Sequence, residues 1–205
     1  MRTLILDLGD VLFHYSITRI TALPPGAFKA VIKSTAWGDL ECGRVAEDIA
    51  VARISKELSL DIISIREALT QCRRLLHVDH DLFRELVALK KEMHGKLKVY
   101  AMTNISKDDF ARLKLLLPTW NELFDADFTS FKAGRIKPDL EYYQYVLDSI
   151  GPKCPSLAVF VDDKNVNVDA ARSFGIHGIV FESPEALMHQ LRSRLLDPPA
   201  PAQSV

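Results

Sequence analysis

Acidic residues follow two apolar segments that lie far apart in the sequence. The apolar run Leu4–Leu6 leads into Asp7. A second apolar run, Leu157–Val161, leads into Asp162 and Asp163. Open α/β sheets build their sites at the carboxyl ends of buried parallel strands, and carboxylates there can act as nucleophiles or as oxygen ligands for a divalent cation. The two segments therefore predict one cation site assembled from distant parts of the chain.

A hydroxyl and an ammonium group complete a set that suits a phosphate ester. Thr103 follows the predicted strand Leu97–Met102, and Lys137 stands immediately before a proline. Lysine is a compact positive charge for phosphate oxygens, and the helix predicted to begin near Ser106 offers backbone donors. Lys132 is a rival phosphate ligand, ranked lower because no Pro-Asp follows it. A nucleophile, a cation, a fixed ammonium and hydrogen-bond donors are what phosphoryl chemistry requires.

The elements that must position these residues alternate between strand and helix. This alternation predicts a parallel sheet with right-handed crossovers. From about Ile17 to Met93 the apolar periodicity is instead helical, without a convincing strand. We therefore predict an α/β fold, with a Rossmann-like parallel sheet, helices on both faces and an inserted all-helical cap. The predicted core is 1–15 and 95–198, the cap is 16–94, and 199–205 is a mobile tail.

The bulk composition excludes several classes of protein. The chain has 205 residues, is 48% hydrophobic and carries a net charge of −1, so nothing in its charge indicates a nucleic-acid partner. No stretch approaches the roughly 18 apolar residues of a membrane span. Three widely spaced cysteines, the early first strand and the lack of a signal segment favour a reduced, cytoplasmic protein. The sequence leaves the oligomeric state open.

Four short motifs, in order along nearly the whole chain, resemble those of haloacid dehalogenase-like hydrolases. They are Asp7-Leu-Gly-Asp-Val-Leu12, Tyr100-Ala-Met-Thr-Asn104, Gly134-Arg-Ile-Lys-Pro-Asp139, and Asp162-Asp163 followed by Asn167-Val-Asp-Ala-Ala171. Each motif alone is a weak signal, whereas all four in order are specific. The insertion between the first two is similar to the helical cap of the family's first subgroup, with Trp37, Glu41 and Gly43 in a familiar cap context.

This resemblance implies a magnesium-dependent phosphohydrolase that acts on a small phosphorylated metabolite. Asp7 would be the nucleophile that forms an aspartyl-phosphate, Lys137 would pair with it and with the phosphoryl group, and Thr103 would hold a phosphoryl oxygen. The ligands implied for Mg²⁺ are Asp7, the backbone carbonyl of Gly9, Asp162 and Asp163.

The same resemblance and the position of the motifs suggest residues that touch the substrate. Asn104 belongs to the second motif and is assigned to substrate binding. His14 and Tyr15 follow the first motif, where they could line the substrate pocket or simply occupy a hinge. The identity of the substrate is not predicted, because the periodicity of the cap does not orient it against the core.

Gly9 departs from the family pattern. Family phosphatases usually carry an aspartate two residues after the nucleophile, where it serves as general acid and then as base, and here that position is Gly9. Asp10 is one residue further on and is expected to point elsewhere. General acid–base catalysis typically contributes about 10²–10⁴ in rate. The glycine therefore predicts a slow phosphatase or a different chemistry, with leaving groups of low pKa affected least.

Two alternative functions remain open at this point. One is a terpene cyclase built on the same fold that acts on a prenyl diphosphate such as farnesyl diphosphate. The segment Asp125–Thr129, with Asp127 at its centre, superficially resembles a proton-donor motif of such cyclases, although an ordinary family segment is the favoured interpretation. The other alternative is a non-catalytic phosphate-binding regulator, because Gly9 removes a catalytic group.

Overall fold

The structure is a computed structural model that describes residues 2–151 and 155–196. Its strands are β1 (Arg2–Leu6), β2 (Phe13–His14), β3 (His77–Val78), β4 (Leu97–Thr103), β5 (Ala126–Thr129), β6 (Ala158–Asp162) and β7 (His177–Val180). Five of them form one parallel sheet in the order β5-β4-β1-β6-β7. The short strands β2 and β3 pair separately and antiparallel.

The helices divide between the segment that follows β2 and the segments that connect the strands of the sheet. They are α1 (Pro25–Lys33), α2 (Thr35–Glu41), α3 (Glu47–Leu58), α4 (Ile62–Leu75), α5 (His80–Glu92), α6 (Lys107–Leu116), α7 (Trp120–Leu123), α8 (Ser130–Ala133), α9 (Leu140–Ile150), α10 (Asn165–Ser173) and α11 (Pro184–Leu196). Single 3-10 turns occupy Ile17–Arg19 and Pro155–Leu157. No helix within the described ranges is long and apolar enough to cross a membrane.

Both faces of the sheet are covered by helices, because successive side chains of a strand point to opposite faces. In β1, Leu4 and Leu6 join a cluster that includes residues of α5, α6 and α11. The intervening Ile5 joins a second cluster, built from α9 and α10. The predicted α/β class, with a parallel sheet and helices on both faces, is confirmed.

The position of β1 in the middle of the sheet decides where the polar residues meet. Its neighbours are β4 on one side and β6 on the other, and all three strands run in the same direction. Their carboxyl ends therefore share one edge of the sheet. Asp7 follows β1, Thr103 ends β4 and Asp162 ends β6, so three distant segments deliver their polar residues to this edge.

Helices α1–α4 form a cluster with an apolar core of its own, which includes Phe28, Val31, Ile54 and Ile65. We call these helices the cap. The chain enters and leaves them through β2 and β3, which pair with each other.

The predicted end of the cap at residue 94 does not agree with the way helix α5 packs. Leu82, Leu86 and Leu89 of α5 lie in the cluster that covers the sheet, not in the core of the cap. We therefore propose that the cap ends near Leu76, and that α5 belongs to the α/β core. The tail predicted to be mobile, 199–205, lies outside the described residues.

Two helix starts follow from their capping residues. The Ser106 hydroxyl accepts a hydrogen bond from the Asp109 amide (3.2 Å), so Ser106 is the N-cap of α6 as predicted. The Asp79 carboxylate accepts from the Leu82 amide (2.9 Å) at the start of α5. The sequence around His77 and His80 is thus a helix entry, as expected, although His77 also lies in β3.

Candidate functional site

Lys137 lies at the centre of a buried cluster of charges. Its Nζ is 2.9 Å from Oδ1 of Asp7 and 2.6 Å from Oδ2 of Asp162, and it donates to the Met102 carbonyl at 3.0 Å. The three charged side chains are 1%, 7% and 0% exposed, respectively. Charges removed from water in this way are stable only when they are closely paired. The ammonium group therefore holds two carboxylates together at the edge of the sheet.

Asp162 is held rigidly by donors on its other side. Its Oδ1 accepts from the Lys164 amide (2.9 Å) and from Nδ2 of Asn167 (2.8 Å). Burial by itself would raise the pKa of Asp162, but Lys137 and these two donors hold it below the ordinary value. Asn167 was not among the predicted site residues. Its place in the fourth motif, five residues after Asp162, was the available signal.

The pKa of Asp7 shifts in the opposite direction. Burial raises its pKa to about 6, although Lys137 opposes the rise, and the charge of Asp162 adds to it. Its Oδ1 also accepts from the Leu8 amide at 2.7 Å. Two carboxylates thus share one ammonium group, and Asp162 is the more readily ionised of the two. A further positive charge beside Asp7 would favour its ionised form.

The residues at this edge fit a divalent cation. Carboxylate oxygens of Asp7, Asp162 and Asp163 lie within 4.8 Å of one another. Oδ1 of Asp163 is buried and has no hydrogen-bond partner within the described ranges, and burial raises the pKa of this carboxyl. An unpartnered buried carboxylate oxygen is costly, and a bound cation would satisfy it. An all-oxygen set of this kind is the type that Mg²⁺ accepts.

Gly9 and Asp10 lie at the exposed rim of this cluster. A Cβ added to Gly9 would meet no heavy atom of the described chain within 4 Å, so the position has room for a side chain. Asp10 has a φ of 54°, which is unusual for a residue other than glycine. Its charge contributes to the raised pKa of Asp163, after burial and the charge of Asp162. The carbonyl of Gly9 as a metal ligand stays a prediction.

Thr103 and Asn104 follow Met102, whose carbonyl accepts a hydrogen bond from Lys137. Thr103 is buried at the end of β4, and its carbonyl accepts from the Tyr142 hydroxyl at 3.2 Å. Asn104 brackets the backbone of Lys137: its Oδ1 accepts from the Lys137 amide (2.8 Å), and its Nδ2 donates to the Lys137 carbonyl (3.0 Å). These bonds make Asn104 a positioning residue for the lysine, while its assignment to substrate binding stays a prediction.

His14 and Tyr15 lie where the cap joins the core. His14 is in β2, and its ring centroid lies 5.8 Å from that of His77 in β3. Its assignment to substrate binding stays a prediction. Tyr15 packs against the core of the cap. Burial raises its pKa, and nearby acidic groups including Asp10 and Asp163 raise it further. Tyr15 therefore lies close enough to the acidic cluster for the charges of the cluster to raise the pKa of its hydroxyl.

Two other residues considered at the sequence level have separate environments. Oδ1 of Asp127 accepts from Nε1 of Trp120 (2.7 Å), and its Oδ2 pairs with Lys114 (2.8 Å). Both oxygens of Asp127 are thus engaged by helix residues. Lys132 is exposed, with its Nζ 5.9 Å from the ring centroid of Phe131, and it does not join the buried cluster.

Polar contacts hold the cap against the core above this edge. Arg73 of α4 donates to Asp109 of α6 (2.7 Å) and to Glu47 of α3 (3.0 Å). Arg44 donates to the Gly134 carbonyl at 3.1 Å. The cap is therefore joined to the segments that follow β4 and β5, at the edge of the sheet where the charged cluster lies.

Comparison with known proteins gives the family. A model described as haloacid dehalogenase-like hydrolase matches residues 1–175. A drimenol cyclase of Aspergillus calidoustus is 36% identical over 191 residues, which are 93% of this chain but 36% of that protein. A sesquiterpene phosphatase of Aspergillus oryzae is 32% identical over 189 residues, which are 92% of this chain and 93% of that protein.

The fold has a close counterpart among solved structures. The crystal structure of a family enzyme from Bacteroides thetaiotaomicron, solved as a magnesium complex, superposes with a TM-score of 0.74 at 20% identity. The match covers 94% of this chain and 98% of that one. At this identity the likeness extends to the fold alone.

Proposed function

Because the chain belongs to the haloacid dehalogenase-like hydrolase family, we propose that it hydrolyses a small phosphate ester through an aspartyl-phosphate on Asp7. The observation that supports this most is the buried contact of Lys137 with both Asp7 and Asp162. A nucleophilic carboxylate and a fixed ammonium are together at the end of the central strand, as phosphoryl transfer requires.

Each residue of the site has a part in the proposed reaction. An oxygen of Asp7 attacks phosphorus while the bond from phosphorus to the leaving oxygen breaks. Lys137 offsets the charge of the transferred group, and the Thr103 hydroxyl donates to one of its oxygens. The carboxylates of Asp7, Asp162 and Asp163 and the carbonyl of Gly9 would hold Mg²⁺. When bound, this ion would supply charge neutralisation for the phosphoryl oxygens.

We propose terpenyl phosphates, such as a sesquiterpenyl monophosphate or diphosphate, as the substrate class. The sesquiterpene phosphatase matches this chain over 93% of its own length. Tyr15, Trp37 and Cys72 pack against the apolar core of the cap and stay partly exposed, so the cap presents some apolar surface. Such a surface suits a hydrocarbon chain better than a sugar, because burying apolar area is favourable and sugar hydroxyls would need partners.

The drimenol cyclase gives weaker support for cyclisation by this chain, since the match spans about a third of that protein. Protonation of a prenyl chain would require an accessible carboxylic acid. Asp127 is the residue that the sequence offered for this role, and both its oxygens are engaged by Trp120 and Lys114. We therefore place removal of phosphate, and not ring closure, first.

Phosphate release from farnesyl phosphate and farnesyl diphosphate, with Mg²⁺ present, tests this proposal. We expect turnover that Asp7→Asn abolishes and that Asp108→Asn, an exposed carboxylate on α6, retains. Extraction and mass analysis of the same reactions would detect a cyclised product. Equal phosphate release by the Asp7→Asn protein would refute the assignment of the nucleophile, and a cyclised product lost in Asp127→Asn would favour the cyclase instead.

A further inference from the structure

Glu41 is the last residue of α2, the cap helix that packs on the loop before Lys137. A Cβ added to Gly38 in this helix would lie 3.7 Å from Cδ1 of Ile136, the residue that precedes Lys137. One turn further along, the helix ends at Glu41. The C-terminal end of α2 therefore lies near the segment that leads into Lys137.

The backbone of Glu41 is tied to the core by a single serine. The Ser130 hydroxyl donates to the Glu41 carbonyl at 2.6 Å and accepts from the Ile105 amide at 2.8 Å. Ile105 comes two residues after Thr103, and Ser130 follows the end of β5. Through Ser130, two hydrogen bonds thus connect Glu41 to the segment that directly follows Thr103.

The cap and core also approach each other closely just after this residue. Gly43 has a φ of 69°, and a Cβ there would lie 2.9 Å from the Phe131 carbonyl oxygen. Cβ atoms essentially never lie so close to a backbone oxygen, so only glycine permits this contact. The position of Glu41 is therefore set by close packing on both sides of it and not by a loose loop.

The charges of the site act on the Glu41 carboxyl. Burial is the main cause that raises its pKa to about 7, and the charge of Asp7 adds to the rise. The Trp37 side chain and the charges of Lys164 and Lys137 lower this pKa. Glu41 in turn raises the pKa values of Tyr15 and of the Cys42 thiol. The carboxyl thus shares one electrostatic environment with the proposed nucleophile and its lysine. A group that exchanges a proton near neutral pH is what general acid–base catalysis requires.

We propose that Glu41 is the general acid that the core lacks at Gly9. This inference rests on the proposed phosphatase activity and concerns the fate of the leaving group. Asp10 is the rival donor, but its carboxylate is exposed. The cap then has a chemical part in the reaction, in addition to covering the site.

The proton balance of both steps is complete with Glu41 in this role. In the first step an Asp7 oxygen bonds to phosphorus, the ester bond breaks, and the leaving oxygen takes the proton of the Glu41 carboxylic acid to become an alcohol. In the second step the Glu41 carboxylate takes a proton from water as the water oxygen bonds to phosphorus. The bond to Asp7 then breaks, which releases phosphate and restores both carboxyl groups.

Glu41→Gln tests the proposal with two substrates that differ in their leaving groups. Farnesyl phosphate releases an alkoxide that needs a proton, whereas p-nitrophenyl phosphate releases a stable phenolate. We expect kcat on farnesyl phosphate to fall by about 10²–10⁴, with little change on p-nitrophenyl phosphate. Glu57→Gln, an exposed glutamate on α3, is the matched control and should leave both rates unchanged.

A second variant separates catalysis from a structural role. Gly9→Asp has room for its side chain, so in the Glu41→Gln background it should restore at least about a tenth of the lost rate on farnesyl phosphate. Equal loss on both substrates, or a selective loss in Asp10→Asn instead, would overturn the role of Glu41 while leaving that of Asp7 intact. Activity that survives Asp7→Asn would overturn the proposed function itself, and this inference with it.

Discussion

Removal of the Lys137 ammonium should destabilise the protein more than any other single change at the site. The side chain is 1% exposed and lies 2.9 Å and 2.6 Å from two carboxylates that are themselves 7% and 0% exposed. In Lys137→Met the side chain still fills the space, but two negative charges remain buried without their partner. Breaking a buried pair from one side typically costs about 3–5 kcal/mol, and the lost bond to Met102 adds to it.

Denaturation by guanidinium in metal-free buffer, followed by circular dichroism, measures this cost. Lys132→Met is the control, because Lys132 is exposed five residues away and its loss should change the free energy of unfolding by less than about 0.5 kcal/mol. The double variant Asp7→Asn/Lys137→Met should recover part of the loss, since one of the two buried charges is gone. A cost below about 1 kcal/mol for Lys137→Met would refute the reasoning, as would an identical cost in the control.

Three further predictions concern the cap and the residues that position the site. The pKa of Glu41 is about 7 in the folded protein against an ordinary 4.5. The contribution of this carboxyl to the stability of the fold is therefore complete below about pH 4.5 and is lost as the pH rises through 7. In urea without metal ions, Glu41→Gln should unfold like the wild type at acid pH, but be more stable by up to about 3 kcal/mol near pH 8. Equal stabilities at both pH values would count against a buried carboxyl at this position. Arg73→Leu removes the ion pairs to α3 and α6 and should raise amide hydrogen exchange in α4 more than in β1; uniform exchange would mean that Arg73 does not hold the cap. Asn104→Ala removes both hydrogen bonds to the Lys137 backbone and should lower kcat with little change in KM, at a stability cost of about 1–3 kcal/mol. A change in KM alone would assign the asparagine to substrate binding.

The convergence of Asp7 and Asp162 could be predicted from the sequence for a simple physical reason. Strands that end in acids, and that belong to a parallel sheet, bring those acids to the same edge whatever lies between them. The linear order of the motifs was enough to identify this edge, and the sheet register places β1 between β4 and β6.

The division between cap and core could not be predicted in the same way. An apolar stripe of helical period indicates that a helix buries one face, but not which neighbour covers it. Leu82, Leu86 and Leu89 have the same spacing as the apolar residues of the cap helices, and yet they pack under the sheet. The strand β5 has the sequence Ala-Asp-Phe-Thr, which lacks the apolar run of β1 and β6, so its sequence alone does not indicate a strand.

Side-chain roles that depend on long-range contacts are the hardest to predict from the sequence. Asn104 belongs to a recognised motif, but its two hydrogen bonds to the Lys137 backbone join residues 33 positions apart. Glu41 was noted only as part of the cap, since nothing in the sequence places the end of α2 beside Ser130. Such contacts join segments that are distant in the chain, and the pattern within one helix or strand contains no information about them.

Acid quenching of the enzyme during turnover of farnesyl phosphate, followed by proteolysis and mass analysis, tests the central claim most directly. The account predicts a phosphoryl group on the peptide that contains Asp7, labile to hydroxylamine and lost in the Asp7→Asn protein. A phosphoryl group on any other residue, or steady turnover without a trapped intermediate in conditions that slow its hydrolysis, would contradict it.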